Sequence, residues 1–276
     1  MEIVTDKTYW LNPNHPNYER WKRSREISIE RGKFVELVLS NEIKCENLNI
    51  LDLGSGEGGT SKVFSKKNNV ISYDISKTRL LRQQYPDIKL NYICGSASFL
   101  PFHEKLFDLI ILQDVLEHLD EREELVGNLF NLLNENGIIY LSTPNRLSLL
   151  NIIADPHWGV SLISLLKRES IKKYFLKTFR KSEQNRKDIA ELLSLNSVLR
   201  LLEKKFEILL FTKTAVNELF KGNKGIAWSK FHLNIIKFSN WIRFNKIIVK
   251  LTNNKVGFLN KYLTPTFYFI LKKKSN

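Results

Sequence analysis

Seven short apolar runs recur along the 276-residue chain: Asn49–Leu53, Val70–Asp74, Lys89–Cys94, Phe107–Gln113, Gly137–Ser142, Phe206–Phe211 and Thr266–Leu271. Runs of this length, with few polar interruptions, suit strands covered on both faces. Most of the intervals between them are long enough for helices, which predicts an α/β fold built on a doubly wound parallel sheet. Glu121 to Asn134 reads as one such helix, with Leu125, Leu129, Leu132 and Leu133 on one side and Gly137 near its stop. Ser194-Leu195-Asn196-Ser197 reads as the cap of a helix running through Lys205. Ahead of the first run, Glu19 to Ser40 has a helical pattern carried by Trp21, Ile27, Phe34, Leu37 and Val38. About fifty residues after Thr143-Pro144-Asn145-Arg146 break the regular alternation, and a second interruption spans 213 to 264. Both fall where a cap over the C-terminal edge of a sheet would be built.

The first run carries the chemistry. It ends in Asp52-Leu53-Gly54-Ser55-Gly56-Glu57-Gly58-Gly59, four glycines within six residues, and Thr60 to Lys67 then has helix-forming character. Glycine serves where backbone takes positive φ or approaches a ligand with no Cβ in between, and a helix N-terminus beyond it faces that ligand. Gly54-x-Gly56-x-x-Gly59 satisfies the dinucleotide fingerprint, while Asp52-x-Gly54-x-Gly56-x-Gly58 is the form found with S-adenosylmethionine (SAM). An acid two residues before the first glycine favours a cationic ligand, since a pyrophosphate would be repelled by it. Val70-Ile71-Ser72-Tyr73-Asp74 puts a second acid at a strand tip about twenty residues on, where a ribose diol can be held. Both cofactor classes use that acid.

The downstream order decides the comparison. Gly95-Ser96-Ala97, Leu100-Pro101-Phe102, Phe107-Asp108-Leu109-Ile110-Ile111, Val115-Leu116-Glu117-His118-Leu119 and Asn136-Gly137-Ile138-Ile139-Tyr140 follow the glycine turn in sequence and spacing. In these motifs the chain resembles the class I SAM-dependent methyltransferases, most closely the branch of ubiquinone-type O-methyltransferases and bacterial glycolipid and polysaccharide methyltransferases. The resemblance is strong over about residues 48 to 145 and holds elsewhere in outline. It implies a Rossmann-like seven-stranded sheet with cap insertions after strand 5 and between the last two strands. It further implies an N-terminal helical lid over 1–47, a SAM-binding core over 48–145, and acceptor-side insertions with the last helix and strands over 146–276. Carried over, Gly54, Gly56 and Gly58 line the methionine and ribose part of SAM, and Asp52 lies near its amino-acid end. Asp74 holds the ribose diol, Ile75 packs on adenine, Ser96 and Ala97 border the adenine edge, and Gln113 closes the pocket. Many relatives carry Asp where this chain has Ser96, and a hydroxyl accepts from the adenine amine more weakly than a carboxylate does.

Composition bounds the rest. With 43% hydrophobic residues the chain can bury a full α/β core and carry an appended region. Cys45 and Cys94 form no C-x-x-C pair, which suits reduced thiols and a cytoplasmic setting. The first ten residues show no apolar signal region, and no uncharged run reaches the length of a membrane span. The net charge of +14 is uneven: residues 1–150 hold 18 Lys+Arg against 21 Asp+Glu, and residues 151–276 hold 25 against 8. No acid follows Glu218, while twelve Lys or Arg alternate with aromatics. Trp228, Phe231, Ile235, Phe238, Ile242 and Ile248 recur at helical spacing, with Lys230, Asn234, Lys237 and Asn245 elsewhere around the helix. Such a helix can lie on an anionic membrane surface, fold back as a plain cap, or bind nucleic acid. The aliphatic neighbours of the aromatics rank nucleic acid last.

Methyl transfer from a sulfonium is an in-line displacement, accelerated mainly by holding donor and acceptor together. A hydroxyl acceptor also needs a base, for which His118 and His157 are the candidates. Each also has a plain structural reading, hydrogen bonding near a helix start for one and packing in a loop for the other. Asp114, Glu117 and His118 resemble the E-x-x-E-H of ubiquinone-type O-methyltransferases, for which a divalent metal has been proposed; acids in a first helical turn are also favoured with no metal present. The acceptor expected is a small, saccharide or lipid-linked molecule methylated on oxygen. The rival readings are a non-catalytic membrane-associated module of the same fold and an NAD-linked oxidoreductase.

Overall fold

The computed structural model describes residues 8–83, 85, 90–186, 188–223, 225–226 and 230–274. Trp228, and the side chains of Lys230 and Phe231, lie outside what it describes. In chain order the helices are α1 (Tyr18–Glu26), α2 (Ser28–Leu39), α3 (Gly59–Phe64), α4 (Lys77–Arg82), α5 (Arg122–Leu132), α6 (Leu149–Ile153), α7 (Arg168–Ser170), α8 (Lys177–Phe179), α9 (Leu195–Leu202), α10 (Thr212–Phe220), α11 (Lys230–Trp241), α12 (Phe244–Leu251) and α13 (Phe258–Tyr262). The strands are β1 (Asn49–Leu53), β2 (Asn69–Asp74), β3 (Asn91–Cys94), β4 (Phe107–Gln113), β5 (Leu133–Pro144), β6 (Phe206–Leu210) and β7 (Thr266–Lys273). They form one sheet in the order β3-β2-β1-β4-β5-β7-β6. The first five are parallel, and β7 runs antiparallel between β5 and β6.

Parallel strands expose neither face, and the residues follow that demand. Ile50, Leu51, Leu109, Ile110, Ile111, Ile139 and Tyr140 are all fully buried. Side chains of successive residues divide between two cores. One packs Leu51, Leu53, Ile110 and Leu112 under α5 and α9; the other packs Ile50, Leu109, Ile111 and Tyr140 against α2, with Phe64 from α3.

Two local expectations differ from what is found. The helix expected from Glu19 to Ser40 is broken at Ile27 into α1 and α2. Residues expected to end α5 instead open β5, so Gly137 lies inside the strand. A Cβ there would sit 2.8 Å from Leu133 Cγ and 3.0 Å from the Phe107 carbonyl oxygen, where β4 and β5 shift register. Gly137 therefore permits a close strand approach and terminates no helix. The Ser194 cap is as expected, its hydroxyl accepting from Ser197 N at 3.2 Å.

Both insertions depart from the C-terminal edge of the sheet, and α2, packed over one of its faces, begins at that edge beside α3. α2 crosses α3 with almost no separation: a Cβ on Gly32 would meet Thr60 Cα at 2.8 Å, and one on Gly59 would meet the Ser28 carbonyl carbon at 2.2 Å. The second insertion leaves β6 at Leu210 and returns at Thr266, opposite Pro144. Asn145 ties it down, its Nδ2 donating to the carbonyls of Lys261 (3.0 Å) and Thr264 (2.8 Å).

Candidate active site

The tips of β1, β2 and β4 converge on the glycine turn. Gly54, Gly56 and Gly58 have φ of +75°, +53° and +72°, in the left-handed region that L side chains resist. Space around them is unequal. A Cβ at Gly54 would strike Val115 Cγ2 at 2.3 Å and one at Gly58 would strike Gln83 at 2.6 Å, whereas at Gly56 nothing lies nearer than 3.9 Å. Gly56 is thus the glycine that presents its open side to a ligand. Asp74, at the end of β2, is bound to the same loop: Oδ2 accepts from Gly56 N and Oδ1 from Ser76 N, each at 2.8 Å. Its remaining lone pairs are free in number to accept a diol. Ile75 is 60% exposed beside it, as a side chain covering a flat ring would be. Ser96 Oγ accepts from Ser98 N at 3.2 Å, while Ala97 packs partly against the core. Gln113 Oε1 accepts from Thr60 Oγ1 at 3.0 Å, so the β4 tip is latched to α3.

Asp52 has surroundings other than those expected. Its carboxyl is buried and turned beneath the loop, with Oδ2 2.5 Å from Ser61 Oγ. The contacts continue from Ser61 Oγ to Ser72 Oγ (2.6 Å) and from Ser72 Oγ to Gln83 Oε1 (2.7 Å). Gln83 Nε2 donates to the Gly56 carbonyl (2.7 Å) and Ser55 Oγ (3.0 Å), which fixes the amide's orientation. Burial pushes the Asp52 carboxyl up to about 6, with the nearby Asp74 adding to the rise and the Ser61 hydroxyl opposing it. Asp52 therefore supports the loop from below through a polar chain, where a bare carboxylate facing a cation was expected. Gln83 is the supporting residue the sequence did not reveal.

A second group stands past the β4 tip. Leu116–His118 is a single 3-10 turn, and Asp114 ahead of it has φ +58°, so Asp114, Glu117 and His118 do not share a helix face. Asp114 is instead paired with Arg31 of α2 at 2.6 Å and accepts from Ser142 Oγ at 3.0 Å. His157 takes its place: ligand atoms of Glu117, His118 and His157 lie within 4.8 Å of one another. Arg122 Nε donates to the Leu116 carbonyl (3.0 Å) and Arg168 Nη2 to that of Glu117 (3.0 Å), which holds the turn rigid. His157 is set by an Asx-type turn in which Asp155 Oδ1 accepts from His157 N and Trp158 N, both at 2.8 Å.

The protonation states follow from burial. Glu117 is fully buried, which together with Asp114 pushes it up to about 8; its Oε2 accepts from Thr143 Oγ1 at 3.0 Å. Glu117 is then a neutral acid at pH 7. Burial lowers both His118 and His157, the latter well below its ordinary value, so both rings are neutral as well. His118 Nδ1 lies 3.1 Å from the Asp188 carbonyl, which can only accept, so that nitrogen carries the proton and Nε2 is left as an acceptor. Glu117 Oε1 and His157 Nδ1 are buried with no hydrogen-bond partner among the described residues. A divalent cation fits this donor set of one carboxylate and two imidazoles better than the sequence-expected set containing Asp114.

The comparisons agree with the geometry. A family profile described as a methyltransferase domain matches residues 51–141. The chain is 30% identical over 142 residues to a ubiquinone biosynthesis O-methyltransferase of Rickettsia prowazekii, covering 50% of this chain and 55% of that protein. It is 29% identical over 108 residues to a probable S-adenosylmethionine-dependent methyltransferase of Mycolicibacterium smegmatis, covering 38% of this chain and 41% of that one. Residues 51–141 thus form a methyltransferase domain, and the relatives the chain aligns with are SAM-dependent methyltransferases. The chain spans about half the length of the curated relatives it matches. Phosphoethanolamine N-methyltransferase 2 of Haemonchus contortus, solved with S-adenosyl-L-methionine, shares the fold at a TM-score of 0.56 and 12% identity, covering 97% of this chain and 60% of that one. In this methyltransferase domain the glycine turn, Asp74 and Gln113 occupy strand tips on one edge, and the Glu117–His118–His157 group follows the β4 tip.

Proposed function

We propose that this protein is a SAM-dependent methyltransferase acting on a hydroxyl of a small, saccharide or lipid-linked acceptor. The observation that carries the reading is a glycine loop open at Gly56 and tied to Asp74, with a neutral imidazole acceptor, His118 Nε2, past the adjoining β4 tip. When bound, SAM supplies an electrophilic methyl on a sulfonium. The loop amides and Asp74 hold the donor's ribose side, Ile75 and Ala97 border its base, and Gln113 closes the far wall. Asp52 belongs to the same loop through the Ser61–Ser72–Gln83 chain.

His118 Nε2 would take the acceptor hydroxyl's proton as its oxygen bonds the methyl and the methyl–sulfur bond breaks, the sulfur keeping that electron pair in the departing neutral S-adenosylhomocysteine. His118 can take that proton because its Nδ1–H is anchored on Asp188 and its ring is uncharged at neutral pH. His157 borders the same space, with its ring centroid 5.2 Å from that of His118. Where a divalent cation is used, Glu117, His118 and His157 would hold it and it would acidify the acceptor hydroxyl. No helix among the described residues is long and apolar enough to cross a membrane.

Isothermal titration with SAM and S-adenosylhomocysteine, alongside NAD, tests the donor. Binding of NAD but neither adenosyl compound defeats the reading. Transfer of a labelled methyl group into an extract of hydroxyl-bearing lipids and saccharides, analysed for methyl ethers that resist saponification, tests the acceptor atom; base-labile methyl ester or N-methyl products defeat the hydroxyl assignment.

A further inference from the structure

Helices α11 and α12 pack on each other and on α10, yet they leave a run of large apolar side chains facing outward. Phe238 and Trp241 on α11, and Ile242 just past its end, lie three and four residues apart, and on α12 Phe244, Ile247 and Leu251 repeat at three and four. Trp241 is 79% exposed and Phe238 59%. Only Ile242 and Arg243 separate the two helices, and Arg243, at φ +59°, makes the turn sharp. Lys237, Arg243, Lys246 and Lys250 are all exposed around these residues. Contiguous apolar residues rimmed by charge mark an interaction site on a protein surface.

We propose that the outward side of α11 and α12 docks on an anionic lipid bilayer, with Phe238, Trp241, Phe244 and Ile247 entering the headgroup boundary and the basic residues contacting lipid phosphates. Charge selects this occupant. No acidic residue follows Glu218 in the sequence, so α11, α12 and the turn between them carry basic groups and no acid. A second copy would bring the same uncompensated positive charge. Nucleic acid would satisfy the lysines but leave Ile242, Ile247 and Leu251 against water, whereas a bilayer boundary takes both groups together.

The position of the helices fits the role. Their insertion departs and returns at the C-terminal edge of the sheet, the edge that carries the glycine turn. Asn145, at the end of β5, binds α13 through the Lys261 carbonyl, and Asn254 Oδ1 accepts from Lys213 N at the start of α10 at 2.8 Å. Docking would hold the protein beside a lipid-borne hydroxyl. That benefit rests on the methyl-transfer reading, although the docking itself does not.

The test is co-sedimentation of the full chain with vesicles of phosphatidylcholine alone and with 30 mol% phosphatidylglycerol (about one lipid in three), a content that gives a strongly negative surface. The wild type is expected to partition to the anionic vesicles at least about tenfold better than to neutral ones. A Phe238→Ser/Trp241→Ser pair, both sites exposed, is expected to lower that partition by about tenfold or more. Brominated lipids are expected to quench wild-type tryptophan fluorescence, and Trp241→Phe to lose most of that quenching. SAM titration of the same proteins is expected to give unchanged affinity, which separates this proposal from the donor assignment. Equal sedimentation of wild type and double variant overturns the proposal. So does loss, in the double variant, of a concentration-dependent dimer or of RNA binding, with vesicle partition unchanged.

Discussion

Asp52→Asn tests the polar chain beneath the glycine loop. Three short oxygen–oxygen contacts link Asp52, Ser61, Ser72 and Gln83, and the two serine hydroxyls bring only two protons. Gln83 cannot supply the third through Oε1, because the Gly56 carbonyl fixes its amide with Nε2 toward the loop. With Asp52 ionised, Ser61 donates to it and the 2.6 Å contact between Ser61 and Ser72 lacks a hydrogen. With Asp52 protonated, every contact is filled in one direction. A carboxyl raised to about 6 in the folded protein, against 3.8 ordinarily, contributes stability that is complete below 3.8 and lost as pH rises through 6. At 1.36 kcal/mol per pK unit the loss reaches about 3 kcal/mol above pH 7. Asn keeps a donor toward Ser61 and cannot ionise. The stability difference between Asp52→Asn and wild type should therefore shift in favour of Asn by about 2 to 3 kcal/mol between pH 4 and pH 7. Urea or thermal unfolding of both proteins across that range, without cofactor, measures it. A difference that stays flat with pH, whatever its size, refutes a protonated Asp52.

Other outcomes follow from the site. Gly56→Arg should abolish SAM binding by calorimetry while costing about 1 to 2 kcal/mol of fold stability, since its Cβ enters open space at a strained φ. Asp74→Ala should weaken SAM binding by about 1.5 to 3 kcal/mol, as it removes a charged acceptor and orphans the Gly56 amide; an unchanged dissociation constant removes Asp74 from the site. His118→Gln should lower kcat by roughly 100-fold or more with SAM affinity intact. In the wild type the acidic limb of the kcat profile should lie below the ordinary imidazole value of 6.5, because burial lowers His118 and keeps it neutral to lower pH. Chelation and dialysis should leave kcat within about twofold; a loss restored by one divalent metal would reassign Glu117, His118 and His157 as its ligands.

The sheet was legible because its strands are nearly continuous apolar runs, and such runs need no tertiary information to be seen. Polar residues hid the start of β5: Asn134, Glu135 and Asn136 look like a helix end, yet they extend the strand where it projects past the core. No proline or glycine marks the break at Ile27, where ψ moves to 10° and the side chain is buried. Gly54, Gly56, Gly58 and Asp74 could be grouped from the sequence because one loop and one strand tip present them. The pairing of Arg31 with Asp114 spans 83 residues and that of His157 with Glu117 spans forty, distances over which a sequence carries no local signal. Gln83 was hidden differently: its function comes from facing a glycine that has no Cβ.

The backbone-to-backbone crossing of α2 and α3 limits how the site can admit a molecule the size of SAM. Thr60 follows Gly59 at the start of α3, so α2 cannot lift without dragging the loop that must stay still to grip its guest. Any hinge would then lie at Ile27, and what could move is α1 and the turn Thr8–Leu11, whose Trp10 rests within 6 Å of Arg25, Arg79 and Arg82. Arg25 would travel with the indole, so entry and exit would be governed by its unstacking from the two α4 guanidinium groups, Arg79 and Arg82, a gate able to swing while the grip below it holds.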